Sequence, residues 1–418
     1  MLTALYPGKG FADRTSSDQA VATADPGLYL TALVLLAISH PLWLVLLHTQ
    51  AGIGGSGAVV VTEALLLAAC VPLLLKRLPL GFYLAGVLLL INAVALGLLR
   101  DSTDPKPLRD LLVPLVFLGV GASIANEAVA DRVLKTAVWL VLAVGFFEFL
   151  ALDAFMRVFD IQSYFLARGV GDPNIGLYRQ DKLVASALRP DGIGRTILPF
   201  LGPHRASSVF VEPVSFGNFA VICAAWGLAK GREAWRSGAF FVAAALVMLV
   251  LCDSRFGLLS IAVLALLRLV VVRGGEPIGI AFPFACVGIL IGMAAVLGVE
   301  YTDSVLGRLT LTGDTLRSMP GGGLFGVAAS ARRYYDMGYP YALANFGLVA
   351  CLAIWAAFWL LPRQFPVAQR FHLYVALYLA LLLCVSGDSA FAFKTSAVLW
   401  FLLGMLTGDR TSAVSAPE

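Results

Sequence analysis

The sequence predicts an all-α, polytopic integral membrane protein with about twelve transmembrane helices and two long polar segments between them. Three observations carry this. Hydrophobic residues make up 59% of the 418 and charged residues only 13%, whereas a soluble domain of this length needs far more charge to cover its surface. Mean hydropathy is +0.86. Apolar runs of about 20 residues, enough to cross a hydrocarbon core as helix, recur along the chain.

Residues 1–27 are polar and mixed and lack the basic-then-apolar layout of a cleavable leader. They are expected to be a cytoplasmic tail, with the first span retained. Spans are expected at about 28–48, 58–75, 79–99, 110–126, 132–152, 209–229, 238–252, 254–272, 278–298, 339–361, 371–387 and 392–407. The 238–272 stretch also reads as one long broken helix. Segments 153–208 and 299–338 interrupt the series. Residues 28–407 form one transmembrane domain, and 408–418 a short polar tail expected to be disordered and cytoplasmic.

With the N-terminus inside, Lys76, Arg77, Arg132, Lys135, Lys230, Arg232, Arg236, Arg273, Arg363 and Arg370 all fall in short cytoplasmic loops, as the positive-inside rule asks. Both long segments then face outward, the periplasmic side if the membrane is a bacterial inner membrane. Glu63, Glu148, Glu212, Asp253, Arg255, Asp388 and Lys394 come out near the outer ends of their helices. Ionisable groups within the bilayer are expensive. Either each snorkels to the nearer interface, or together they line a water-accessible outer cavity; their convergence on one leaflet favours the cavity. Segment 153–208 adds Arg157, Arg168, Arg179, Lys182, Arg189, Arg195 and Arg205 against five aspartates. Six of those seven cations are Arg, whose planar fork grips phosphate, so an anionic ligand is expected on that side.

Several classes are excluded. A formal charge of +4 without a basic run interleaved with aromatics does not suggest nucleic acid. No G-x-x-x-x-G-K-[ST] occurs, and Pro320–Gly326, "PGGGLFG", reads as a flexible loop. There is no Asp-x-Asp and no metal-ligand spacing, so metal-free chemistry without a cofactor is expected. The six cysteines are scattered singly and read as small buried hydrophobes.

Three patches together resemble the polysaccharide polymerase and ligase superfamily of bacterial envelopes. The first is "R-x-x-S-x-F-x-E-P" (Arg205, Ser208, Phe210, Glu212, Pro213) leading into a span. The second is "DSRFGLL" at Asp253–Leu259, and the third "RRYYDMGYPYALANFGLVACL" at Arg332–Leu352. O-antigen ligases carry a His about ten residues before a Gly in the third patch. Here Asp336 stands there, ahead of Gly347. That departure favours the Wzy-type repeat-unit polymerases over the ligases, and the general layout is similar to polymerases of the xanthan or sphingan exopolysaccharide type.

The resemblance implies a glycosyltransferase that joins oligosaccharide repeat units carried on undecaprenyl pyrophosphate at the periplasmic face. Its implied partners are the lipid-linked donor and acceptor, a flippase and a chain-length regulator. Charge builds on the pyrophosphate as the glycosidic bond breaks, and preorganised cations stabilise it. Arg205 and Arg255 are the first candidates, then Arg332, Arg333 and Lys394. Asp336 and Glu212 are candidates for positioning or deprotonating the acceptor hydroxyl. Helical spacing lets Arg332 or Arg333 pair with Asp336, while Asp336 also reads as a simple cap for the helix entering at Tyr339. Glu212 is either a base or the partner of Arg205. Outside this reading stand a polysaccharide ligase and a lipid-linked oligosaccharide flippase. The flippase is disfavoured by the two long segments and by the lack of internally repeated halves. A polyprenyl-phosphate-sugar transferase ranks lower, because "HTQAGIGGSG" holds no acid.

Overall fold

The computed structural model of the chain describes residues 26–75, 78–100, 104–170, 187–188, 194–270, 275–297, 305–328, 334 and 337–407. The chain opens with α1 (Pro26–Ala51), α2 (Ser56–Leu74), α3 (Leu80–Arg100), α4 (Lys106–Ile124) and α5 (Glu127–Leu150). Two short helices follow, α6 (Leu152–Val158) and α7 (Ile161–Ala167). Next come α8 (Pro213–Ala229), α9 (Trp235–Cys252), α10 (Arg255–Val270) and α11 (Glu276–Leu297). The last group is α12 (Val305–Ser318), α13 (Gly321–Leu324), α14 (Gly338–Phe346), α15 (Leu348–Leu360), α16 (Pro366–Val385) and α17 (Phe393–Met405).

Apolar runs of this length become helices because lipid offers no partner to a backbone amide, so every bond must close within the segment. Eight helices (α1 to α5, α9 with the turn before it, α11 and α16) are long and apolar enough to cross a membrane among the described residues. The pair α14 and α15, bent by 106°, passes the same test only when taken together, as a broken span or a re-entrant loop. The chain is an all-α polytopic membrane protein; each of the twelve expected segments contains a helix among its described residues, but only eight or nine of them are long and apolar enough to span.

Local chemistry sets the boundaries. Asn126 caps α5 by accepting from the amides of Ala128 and Val129 at 2.9 and 3.2 Å. Pro213 and Pro366 open α8 and α16, where a missing amide hydrogen costs nothing. The 238–272 stretch resolves into two helices because Asp253 adopts a left-handed conformation, φ 47°, between α9 and α10. The 106° bend between α14 and α15 falls at Gly347, φ 77°, a value that suits glycine alone.

In lipid, helices associate through close packing of small residues rather than hydrophobic exclusion. The tightest crossing joins α4 to α17, where a Cβ on Gly121 would overlap the Phe401 carbonyl and one on Gly404 the Leu118 carbonyl. Between α8 and α9, a Cβ on Gly227 would lie 2.6 Å from the Gly238 carbonyl. The buried helices α8 and α16 stand at the centre, while α3 and α11 present most of their surface outward. Of the six free cysteines all but the half-buried Cys351 are buried.

The structure departs from the sequence reading in three places. The polar segment 299–338 contains a helix, α12, which lies along α11 with Gly313 against the Leu290 carbonyl. "PGGGLFG" contains the one-turn helix α13, and Gly326 closes on Gly347, so it is a packed turn. The sixth span starts at Pro213 rather than 209, because Ser208–Phe210 form a 3₁₀ turn and Val211 sits at φ 64°.

Candidate functional site

Both long segments attach to one end of the bundle, where α1, α3, α5, α9, α11 and α16 finish and α2, α4, α8, α10 and α17 begin. This loop-rich end gathers most of the charged side chains singled out above. At the opposite end Lys230 pairs with Glu127 and Asp131 at 2.9 and 2.6 Å, and Arg370 donates to the Ala229 carbonyl at 2.7 Å.

The first two motif patches meet there. Arg205 is buried, and its Nε donates to the Cys252 carbonyl at 3.0 Å. The amide of Ala206 donates to the Leu251 carbonyl at 3.0 Å. Asp253, fully buried, accepts from the amides of Thr196 and Ile197 at 3.0 and 2.7 Å. Arg195 donates to the His204 carbonyl at 2.8 Å and to the carbonyls of Val250 and Leu251. Arg255, next to this knot, is exposed and bonds Thr196 Oγ1 through Nε. Exposure leaves its guanidinium open to a ligand, whereas Arg205 and Arg195 grip backbone.

Glu148 anchors the same turn from α5. Its buried carboxylate accepts from the amides of Ser207 and Ser208 at 2.8 and 2.6 Å and from Ser207 Oγ at 3.0 Å, with His204 Nε2 at 3.4 Å. A carboxylate with two amide donors is a structural clamp for a turn whose Ser208 holds φ 53°.

Glu212 does not hold Arg205. Its carboxylate accepts from Lys394 Nζ at 2.6 Å and Ser215 Oγ at 3.0 Å, while Lys394 also donates to the Phe210 carbonyl at 2.8 Å. The cause is the non-helical chain between the two residues, which turns Arg205 toward Cys252 and Glu212 toward α17. Desolvation pushes the Glu212 carboxyl up, but the charge of Lys394 and the bonds from Lys394 and Ser215 outweigh it and hold it below its ordinary range. Glu212 precedes the helix and its side chain is 39% accessible, so it stands ionised at the mouth. Lys394, expected as a grip on pyrophosphate, is paired with this carboxylate. Arg332, Arg333 and Asp336 lie outside the described residues.

A second set of charges, of which the sequence reading singled out Glu63 alone, joins α1, α2, α4 and α14. Fully buried Asp110 accepts from Tyr341 Oη at 2.6 Å and pairs with Arg109 at 2.6 Å and Lys106 at 3.5 Å. Arg109 reaches across to Glu63 at 3.1 Å, and His40 stands 3.9 Å from Glu63. The signal was present in "KPLRD", where Lys106, Arg109 and Asp110 fall at i, i+3 and i+4 of a helix start. The third patch enters through Tyr341, and Arg100 donates to the carbonyls of Gly326, Ala344 and Asn345. Among the described residues no group of three His, Cys, Asp or Glu side chains is placed to hold a metal ion.

Compared with known proteins, the chain matches no family model and no curated protein.

Proposed function

We propose that the chain is a polysaccharide repeat-unit polymerase, joining oligosaccharides carried on undecaprenyl pyrophosphate at the periplasmic face of the bacterial inner membrane. The observation that carries this reading is the meeting of Arg205 and Asp253, from patches about 45 residues apart, in one bonded turn beside the exposed Arg255. Tyr341 and Arg100 tie the third patch to the same end.

In this reading Arg255 is the cation that meets the pyrophosphate leaving group, and Arg332 and Arg333 are further candidates for it. Fork-like bonds to phosphate oxygens of about 1.5–3 kcal/mol each suit that role. Arg205 is a positioning residue, holding the Cys252 carbonyl and hence the turn from which Arg255 projects. Asp336 orients or deprotonates the acceptor hydroxyl. Glu212, kept ionised by Lys394, is the second acid of the site. The chain-length regulator and flippase are partners in the same reading, and no cofactor is invoked.

The test is the fate of lipid-linked sugars in cells that lack the protein. A missing polymerase leaves single lipid-linked repeat units at the periplasmic face. Long polymer accumulating on its lipid indicates a ligase instead. Single units trapped at the cytoplasmic face indicate a flippase, and either outcome rejects the proposal.

A further inference from the structure

Arg168, a cation of the loop-rich end, belongs to none of the three patches and has no counter-ion among the described residues. Arg168 follows α7, which is pinned to α1 by a bond between His48 Nε2 and Ser163 Oγ at 3.0 Å. Its guanidinium lies over the rings of Tyr164 and Phe165, 5.4 Å from each centroid. Its Nε is shielded from solvent and has no hydrogen-bond partner among the described residues.

The neighbouring charges are already matched. Lys394 is taken by Glu212, Arg109 by Asp110 and Glu63, and Lys106 by Asp110. The fields of Lys394, Arg168 and Arg109 nevertheless all reach His40, so the cations come from α4, α7 and α17 to one region. Lys106, Arg109 and Lys394 thus each have a carboxylate partner, whereas Arg168 is in no ion pair among the described residues. The Arg168 side chain shares a hydrogen bond with Tyr164, but its sheltered Nε, without a partner, carries a desolvation penalty that an anion with several oxygens relieves. The aromatic platform holds the planar group in a fixed orientation.

We propose that Arg168 is an anion-binding group that takes a phosphate or pyrophosphate moiety against the Tyr164–Phe165 platform. If that moiety is lipid-linked, the inference rests on the polymerase reading and adds to it a phosphate contact on the side of α1, α7 and α17, away from Arg255. The Glu212–Lys394 and Glu63–Arg109 pairs then form a neutralised rim that does not repel the ligand.

The experiment is equilibrium binding to the purified full chain in nanodiscs, with inorganic pyrophosphate and farnesyl pyrophosphate as probes. The expected result is that Arg168→Gln weakens binding by about tenfold or more, the loss of one charge-assisted bond, while its ligand-free Tm stays at the wild-type value. Arg168→Lys keeps the charge without the fork and falls between the two. Arg232→Gln, at an exposed arginine of the opposite end, binds as wild type. Tighter binding of the farnesyl probe assigns the site to a lipid-linked ligand, and equal binding of both to the anion itself. Unchanged affinity in Arg168→Gln and Arg168→Lys, or no binding of either probe by wild type, overturns the proposal. Arg168-dependent binding without polymer formation sinks the polymerase reading and leaves this site standing; polymer formation with Arg168-independent binding does the reverse.

Discussion

Lys394 and Glu212, 182 residues apart in sequence, are joined at 2.6 Å, fastening the start of α17 to the start of α8. The same ammonium holds the Phe210 carbonyl at 2.8 Å, so one side chain fixes the end of the first motif patch. Replacing Lys394 with Met leaves a carboxylate and a carbonyl without their donor and is expected to destabilise the protein by about 1–3 kcal/mol. Lys394→Arg restores most of it. In a double-mutant cycle, Glu212→Gln with Lys394→Met costs less than the sum of the single changes, and thermal unfolding in detergent reads all three.

The pair also has a defined pH dependence. Glu212 has a folded-state pKa below its reference value of 4.5. Its stabilisation is therefore fully present above that value and is lost as pH falls through the lower folded pKa. The Tm difference between wild type and Glu212→Gln is expected to hold from neutral pH down to the carboxylate range and to shrink only below it. A difference that disappears between about pH 7 and pH 5, above the reference carboxylate range, contradicts the depressed pKa.

Glu148 is a stability residue by this geometry. Glu148→Ala orphans two buried amides, at about 1–3 kcal/mol each, and is expected to lower the yield of folded protein sharply. Glu148→Gln keeps an accepting oxygen and is milder. Equal Tm values for Glu148→Ala and wild-type protein would remove the clamp.

Helix packing has an equally direct check. Gly121→Leu or Gly404→Leu must push α4 and α17 apart, whereas a Cβ on Gly288 of α11 meets nothing within 4 Å. Loss of folded protein is expected for the first two and a near-wild-type Tm for Gly288→Leu, measured by fluorescence-detected size exclusion on heating.

Arg205 and Arg255 separate by their surroundings. Arg205→Ala removes a buried donor from the Cys252 carbonyl and is expected to lower Tm, with Lys giving partial rescue. Arg255→Ala, at an exposed position, keeps Tm and loses polymer formation by about tenfold or more, the scale of one phosphate contact. Arg255→Lys keeps the charge but not the fork and retains part of the rate. Full activity in both Arg255 variants would refute the clamp.

The helices were legible in the sequence because lipid removes the alternatives: a run of apolar residues has one way to satisfy its amides. The break at Asp253 and the start at Pro213 were visible only in part, since a non-glycine residue with positive φ leaves no pattern in composition. The charged end was legible as a set of residues, because charge in an apolar span is rare. Its pairings were not. Reading Arg205 and Glu212 as neighbours assumed a regular chain between them, and the turn at Ser208–Val211 sends them apart. The Asp110–Tyr341 bond spans 231 residues, and no local spacing announces a contact of that range.

The most direct measurement is the length distribution of product made by the purified protein from undecaprenyl-pyrophosphate-linked repeat units in nanodiscs. A polymerase yields a ladder of two or more repeats still bearing the lipid pyrophosphate, and the ladder is lost in Arg255→Ala. Substrate recovered as single units, from wild-type protein that unfolds cooperatively and binds the lipid, would contradict the proposed function.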